Sequence, residues 1–172
     1  GVTSLASRML SAMMPLNDTP FFKFGLRSGV EPTAEITQYL ETMSYQVYRK
    51  LAGTNLRETI YQAIQNLIVV GDCLFHIMDD YKFRVTRLDQ YVVQRSVTGQ
   101  VNEIVFVEYD LVDPEQISYT FNIPESIKQG YRRTYCQCLR EEDGTWTYLK
   151  QDDDGNTLSK GVYEVCPVTV LR

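Results

Sequence analysis

Residues 54–78 constrain the fold more than any other stretch, because a helical apolar repeat there ends at a glycine and leads into a short apolar run. Apolar side chains recur at the spacing that places them on one helix face: Leu56, Ile60, Ala63, Ile64, Leu67 and Ile68. Thr54 suits the N-cap and Gly71 the C-cap, since helices commonly end at a left-handed glycine. Residues 73–78 then predict a buried strand, so the stretch joins a helical layer to a sheet.

The first 70 residues predict helices. Residues 2–13 keep helical spacing until Pro15, which favours a first helix that ends there. Residues 32–52 keep the same period and begin with a proline, which suits the first turn of a second helix. Between these two helices, the aromatic-rich residues 21–26 predict a short strand.

The rest of the chain, residues 71–172, predicts mainly strands and hairpins. Residues 82–95 are a candidate pair of strands interrupted by an Asp-Gln dipeptide. Residues 91–95 and 101–109 alternate apolar and polar side chains on either side of a turn that contains glycine. That pattern predicts a β-hairpin.

Three further strands are predicted at residues 132–140, 145–150 and 157–164, because Asp-Gly turns separate them. Residues 124–128 predict a helical turn. Helices first and hairpins after predict an α+β fold, in which N-terminal helices pack against a mostly antiparallel sheet. We expect residues 1–172 to form a single module that is mainly helical to residue 70 and mainly β from residue 71.

Composition and charge narrow the class of protein. A hydrophobic fraction of 44% and a charged fraction of 23% are typical of a globular domain. The net charge of -5 argues against a nucleic-acid coat protein, which needs clustered Lys and Arg side chains. No apolar run approaches the ~20 residues of a membrane-spanning helix, so we expect no membrane partner. Cysteines without a secretory signal give no reason to expect disulfides. The pattern at both ends leads us to expect a piece of a longer polypeptide.

The cysteines and the single histidine are the first candidates for chemistry. Cys136 and Cys138 are expected on the same side of a strand, but a zinc site needs two more ligands. The remaining candidates lie too far apart for zinc-finger spacing: Cys73, His76 and Cys166. Cys73 and His76 also suggest a nucleophile and its base, yet residues three apart on a strand face opposite sides. We therefore interpret the cysteines as buried or partly buried thiols and His76 as a structural residue.

An acidic run resembles the start of a calcium-binding loop: Asp152, Asp153, Asp154, Gly155 and Asn156. On the EF-hand pattern the sixth position is Thr157, where glycine is needed, and the twelfth is Tyr163, where a bidentate glutamate is needed. A solvated hairpin turn is the favoured interpretation. The alternative stays open that the chain is a small α+β enzyme or a calcium-dependent binding domain that uses this turn.

Basic side chains form two small clusters, Arg132 with Arg133 and Lys23 with Arg27. Clusters of this size are more typical of charges at the rim of a protein surface than of a nucleic-acid interface. The sequence contains no Gly-rich phosphate loop, nucleophile elbow or metalloprotease motif. It therefore predicts no catalytic, cofactor-binding or metal-ligating residues and no enzyme activity.

Several segments of the chain resemble one viral family. One similarity is to a helix of that family and the aromatic residues that follow it. The helix corresponds to residues 1–15 (GVTSLASRMLSAMMP), and the aromatic residues correspond to PFF at residues 20–22. Residues 60–77 include LIVVGD and are similar to the apolar end of a later helix. Residues 88–101 (LDQYVVQRSVTGQV) are the most specific match, and residues 166–172 (CPVTVLR) are a further one.

The family that carries these motifs is the portal, or head-to-tail connector, proteins of short-tailed T7-like bacteriophages. The resemblance covers nearly the whole chain but only an early portion of the family's polypeptide. The chain departs from the family pattern at Asp18 and Asp72, and residues 108–130 match weakly.

The resemblance implies that the chain is an N-terminal fragment of the outer wing region of a portal. It implies a structural virion protein in a dodecameric ring at one capsid vertex, through which DNA is packaged and later ejected. In such an assembly the packaging motor, not the portal, hydrolyses ATP. The acidic charge of this chain suits a wall to which passing DNA does not adhere.

The same resemblance implies a set of partners and a location. The partners are the other portal subunits, the major capsid protein, scaffolding and internal core proteins, the terminase motor and tail adaptor proteins. Double-stranded DNA passes through without sequence-specific binding. The expected location is the portal vertex of the virion, and the host cytoplasm during assembly.

Overall fold

The computed structural model of the chain describes residues 1–17, 19–27, 31–78, 81–111 and 131–172. Within them three helices come first: α1 (Val2–Met13), α2 (Ala34–Ala52) and α3 (Leu56–Val70). Four strands follow: β1 (Cys73–Ile77), β2 (Phe83–Arg87), β3 (Tyr91–Arg95) and β4 (Val101–Leu111). Four more end the chain: β5 (Tyr131–Arg140), β6 (Trp146–Asp152), β7 (Thr157–Tyr163) and β8 (Val168–Leu171). This order confirms the predicted α+β class.

The strands form two sheets in the described part of the chain. One has three strands in the order β2-β1-β8, and the other has five in the order β3-β4-β5-β6-β7. Every neighbouring pair in the larger sheet is antiparallel. The chain divides into two compact units, residues 1–85 with 172 and residues 86–171. That residues 1–172 form a single module stays a prediction.

The core of the first unit lies between α1, α3 and β2. Its buried side chains are Ala6, Leu10, Met14, Leu56, Ile64 and Phe83. The three that come from α1 and the residue after it are four positions apart, so they follow one face of the helix. Buried apolar side chains of α3, Leu56 and Ile64, belong to the same cluster as that face. Burial of this apolar surface holds the two helices together.

The start of α3 differs from the prediction by one residue. Asn55, not Thr54, occupies the N-cap position, and Thr54 Oγ1 accepts a hydrogen bond from the Leu56 amide at 3.2 Å. The Asn55 side chain instead forms hydrogen bonds to β2. Its Nδ2 donates to the Phe83 carbonyl at 2.7 Å and its Oδ1 accepts from the Phe83 amide at 2.9 Å. Asn55 thus pairs with β2 as a neighbouring strand would, and its side chain makes no capping hydrogen bond at the start of α3.

The end of α3 confirms the predicted cap. Gly71 has φ 77°, a left-handed conformation, and its amide donates to the Leu67 carbonyl at 3.0 Å. A residue with a Cβ resists this conformation, whereas glycine adopts it readily. The chain turns out of the helix at this point and enters β1 two residues later, as the apolar pattern predicts.

The strand predicted at residues 21–26 is wrong. No strand forms there, because the run packs on a helix and has no strand beside it to pair with. The Phe24 amide donates to Ser44 Oγ on α2 at 2.9 Å. Phe21 meets Phe22 and Tyr48 edge to face, with ring centroids 5.1 and 6.3 Å apart. Aromatic rings in close succession therefore serve helix packing here.

Two further predictions need correction. Helix α2 begins at Ala34, with Thr33 as the N-cap whose side chain accepts from the Ile36 amide, so Pro32 precedes the helix. Strands β2 and β3 do not pair with each other but belong to different sheets. A short 3₁₀ turn at Leu88–Gln90 separates them, at the Asp-Gln interruption seen in the sequence.

The predicted hairpins of the larger sheet are confirmed. Tyr91 lies opposite Phe106 in the β3–β4 pair. The structure adds a β4–β5 pair that the sequence did not predict, in which Thr134 lies opposite Glu108. The Asp-Gly turns fall between β5 and β6 and between β6 and β7, as predicted. The helical turn predicted at residues 124–128 lies outside the described residues.

Replacement of Gly71 tests the cap. A Cβ there meets no heavy atom within 4 Å, so only the left-handed backbone opposes it. We expect Gly71→Ala to lower the free energy of unfolding by about 1–2 kcal/mol, and Gly71→Val by more, since β-branched residues resist positive φ most. Urea unfolding gives the measurement. Gly53→Ala is the control, because Gly53 ends α2 at φ -82°. Equal stability of the Gly71 and Gly53 variants would contradict the cap.

Replacement of Asn55 tests the contact between α3 and β2. Asn55→Ala removes both hydrogen bonds to Phe83, and we expect a loss of about 1–2 kcal/mol in the free energy of unfolding. Asn55→Asp retains the acceptor and loses the donor, so a smaller loss is expected. The exposed Asn17→Ala is the matched control. The contact is refuted if Asn55→Ala unfolds at the same urea concentration as that control.

Candidate functional site

The two cysteines of β5 lie where the sequence places them. Cys136 and Cys138 face the same side of the larger sheet and are fully buried, opposite Phe106 and Ile104 of β4. Burial, reinforced by the negative charge of Glu108, raises the pKa of the Cys136 thiol to about 12. A thiol in such surroundings keeps its proton at neutral pH. The interpretation of these residues as buried thiols is confirmed.

Cys73 and His76 are both buried on β1. They are three positions apart on a strand, so their side chains leave opposite sides of it. The Cys73 sulfur is 3.8 Å from the Ala63 carbonyl oxygen of α3, and burial raises the pKa of the thiol to about 11. A protonated thiol is a poor nucleophile. Nor do the described residues contain a group of three or more His, Cys, Asp or Glu side chains arranged to hold a metal ion.

The acidic run forms a hairpin turn between β6 and β7. Asp152 Oδ1 accepts from the amides of Asp154 and Asn156 at 3.1 and 2.8 Å, and its Oδ2 accepts from Asn156 Nδ2 at 3.1 Å. These hydrogen bonds, led by that from the Asn156 side chain, lower the pKa of the Asp152 carboxyl. Both carboxylate oxygens therefore hold the turn together, as the favoured interpretation of a solvated turn predicts.

The small basic clusters lie at the protein surface. Lys23 and Arg27 are exposed. Arg133 is also exposed, with its guanidinium 5.0 Å from the centre of the Tyr135 ring, and Arg132 is half-buried on the same strand. Since neighbouring residues of a strand face opposite sides, Arg132 and Arg133 do not form one basic surface. No helix in the described part of the chain is long and apolar enough to cross a membrane.

Sequence reasoning missed a buried ionic cluster on the inner side of the larger sheet. Lys150 Nζ lies 3.0 Å from Glu108 Oε2 and 2.5 Å from Asp110 Oδ2. The Glu108 side chain is 1% exposed and that of Lys150 is 14% exposed. Lys150 comes from β6 and the carboxylates from β4, so its stem crosses β5, where Thr134 is fully buried. We name this the Lys150 cluster.

The protonation of Lys150 follows from its surroundings. Burial alone lowers the pKa of an ammonium group, but the hydrogen bond to Asp110 and the charge of Glu108 outweigh burial and raise it. Lys150 therefore stays charged at neutral pH, where it compensates Glu108. Alternation along each strand placed these residues on one side, but only the strand register brings them together. The sequence carried no signal of that register.

Two surfaces of the chain expose apolar side chains. On α1 they form a stripe beside the buried one: Val2, Leu5, Met9 and Met13. On the outer side of the larger sheet they come from four strands: Val92, Val105, Tyr135, Leu139 and Val162. We name the second set the outer sheet face. Contiguous exposed apolar surface is typical of sites where proteins contact other chains.

Removal of the Lys150 charge tests the cluster. Lys150→Met removes the ammonium group that lies 3.0 Å from the buried Glu108 carboxylate, and we expect a loss of about 3–5 kcal/mol in the free energy of unfolding, measured with urea. Adding Glu108→Gln to that variant should restore part of the loss. Lys160→Met, at an exposed position of β7, is the control and should change stability by less than about 0.5 kcal/mol. If Lys150→Met costs no more than this control, the cluster contributes nothing to stability.

Comparison with known proteins gives one family and two relatives. A family described as bacteriophage head to tail connecting protein matches residues 1–172. The chain is 22% identical over 199 residues to the portal protein of Escherichia phage T7, an alignment covering 100% of this chain and 36% of that relative. It is 22% identical over 144 residues to the portal protein of Enterobacteria phage T3, covering 78% of this chain and 25% of that relative.

The chain thus spans about a third of one relative and a quarter of the other. The family match runs through every described element, from α1 to β8. The confirmed segments of the sequence resemblance, including the β3–β4 hairpin and the α3–Gly71–β1 stretch, lie within it. The chain belongs to the family of bacteriophage head-to-tail connecting proteins.

Proposed function

We propose that this chain is a structural part of a portal, the ring at one capsid vertex through which phage DNA is packaged and ejected. The family match over residues 1–172 is the observation that carries the proposal. Two relatives from different phages bear the name portal protein. In this proposal the chain is part of the wing region, and the remainder of the polypeptide supplies the rest of the ring.

The chemistry of the described residues supports a structural role rather than a catalytic one. The thiols of Cys73 and Cys136 are buried and protonated, so they do not act as nucleophiles at neutral pH. The Asp152 carboxylate is used within its own turn. Lys150 and Glu108 neutralise each other inside the sheet. These groups are thus engaged in holding the fold.

The surface of the chain suits a protein packed among other subunits. The stripe on α1 and the outer sheet face leave apolar side chains exposed in the isolated chain, as expected of surfaces that contact other chains. The partners in this proposal are further portal subunits, capsid and scaffolding proteins, the packaging motor and tail adaptor proteins. A net charge of -5 disfavours adhesion of passing DNA, whose phosphates bear the same sign.

The full-length polypeptide that contains residues 1–172 provides the test. We expect the purified protein to assemble into closed rings with a central channel, visible by negative-stain electron microscopy. Mass photometry should give one dominant species at an integer multiple of the subunit mass. A full-length protein that remains monomeric over the concentration range of both methods contradicts the proposal.

Location in the virion gives a second, independent measurement. Quantitative mass spectrometry of purified virions should find peptides of this chain at far fewer copies than those of the major capsid protein, since one vertex carries one ring. Peptides that are absent from virions but present in the infected cell would contradict a portal role.

A further inference from the structure

A pocket opens in the first unit where the end of α1, the end of α2 and the start of α3 meet. Residues from all three helix ends line it, together with Phe21, and its volume is about 230 Å³. An apolar cavity of about 150 Å³ is enough to hold benzene. The pocket is therefore large enough to admit an aromatic or a branched aliphatic side chain.

The walls of the pocket are mainly apolar, and their exposure changes from the bottom to the rim. Met14 is buried in the core of the first unit, and Phe21 and Leu51 pack against that core. Tyr48 adds a second aromatic ring, 6.3 Å from that of Phe21. Leu16, in contrast, is 85% exposed and so lies at the mouth. Apolar pockets with an exposed apolar rim are typical of binding sites.

Arg57 is the only charged side chain among the described residues that line the pocket. Its Nη1 donates a hydrogen bond to the Met14 carbonyl, which holds the guanidinium in the wall. A guanidinium has five N–H donors, so others remain for an acceptor that enters from outside. Two more cations, Arg49 and Lys50, lie in the last turn of α2, next to the residues that line the pocket. The charge of this region favours an anionic partner.

We propose that this pocket is a docking site for a segment of another protein in which an apolar side chain stands next to a glutamate or an aspartate. The apolar side chain fills the pocket, and the carboxylate pairs with the Arg57 guanidinium, whose planar fork matches carboxylate geometry. The inference does not rest on the portal function, because peptide binding is measured whether or not the protein forms rings. The two proposals therefore fail separately.

The test titrates the purified full-length protein with synthetic tetrapeptides and follows binding by saturation-transfer NMR. The probe is acetyl-Ala-Phe-Glu-Ala-amide. One matched control replaces its glutamate by glutamine, and another replaces its phenylalanine by alanine.

We expect the probe to bind with a dissociation constant on the order of 1 mM, since one filled pocket and one ion pair must offset the lost freedom of a flexible peptide. The glutamine peptide should bind about fivefold to tenfold more weakly, because it lacks the charge. The alanine peptide should give no response. Equal binding of the glutamate and glutamine peptides overturns the proposal. No response to any peptide, as when another chain already covers the pocket, overturns it too.

One variant locates the site. Ala52→Phe, at an exposed position of the pocket wall, adds a ring that takes up the volume of the pocket. We expect it to abolish binding of the probe. Unchanged binding would place the peptide elsewhere on the protein and overturn the proposal.

Variants of Arg57 test the charge. Arg57→Gln should bind the glutamate and glutamine peptides equally, whereas Arg57→Lys should retain part of the preference, because it keeps the charge and loses the fork. Arg8→Gln, at an exposed position of α1 outside the pocket, is the matched control and should bind as the wild type does. A preference for glutamate that persists in Arg57→Gln overturns the pairing. Should that variant fail to fold, the two peptides on the wild-type protein decide the same question.

Discussion

The pairing of Lys150 with Glu108 depends on the register of the central strands of the larger sheet. A carboxylate that is 1% exposed needs its cation within reach, because an uncompensated buried charge is strongly destabilising. Side chains alternate along a strand, so a slip of one residue would carry Lys150 to the outer side. One register is therefore far more stable than its neighbours. The same register places Cys138 on the inner side, opposite Ile104 of β4.

In the first unit, a neutral side chain sets where a helix and a strand meet. Asn55 offers both a donor and an acceptor to the backbone of Phe83, so β2 gains a polar partner at the start of α3. Thr59 Oγ1 also lies 3.3 Å from the same carbonyl oxygen. These contacts fix where β2 meets the helix, and Gly71 at the other end of α3 fixes where β1 begins. Contacts at both ends of α3 therefore set the positions of β1 and β2.

The surroundings of the candidate reactive side chains agree with a structural role for this chain. Most side chains that the sequence marked for chemistry are buried and protonated, or are occupied within a turn. Cys166 is half-buried in the connection between β7 and β8, whereas the other three cysteines are buried.

The sequence by itself determined the α+β class, the α3–Gly71–β1 junction and the hairpins of the larger sheet. Each of these depends on local periodicity or on turn chemistry, which neighbouring residues carry. Tertiary structure decided that residues 21–26 pack on α2 instead of pairing as a strand, because their aromatic rings met a helix. It also decided the Lys150 cluster, whose members are far apart in the chain. Such contacts follow from strand register and packing, which no local pattern records.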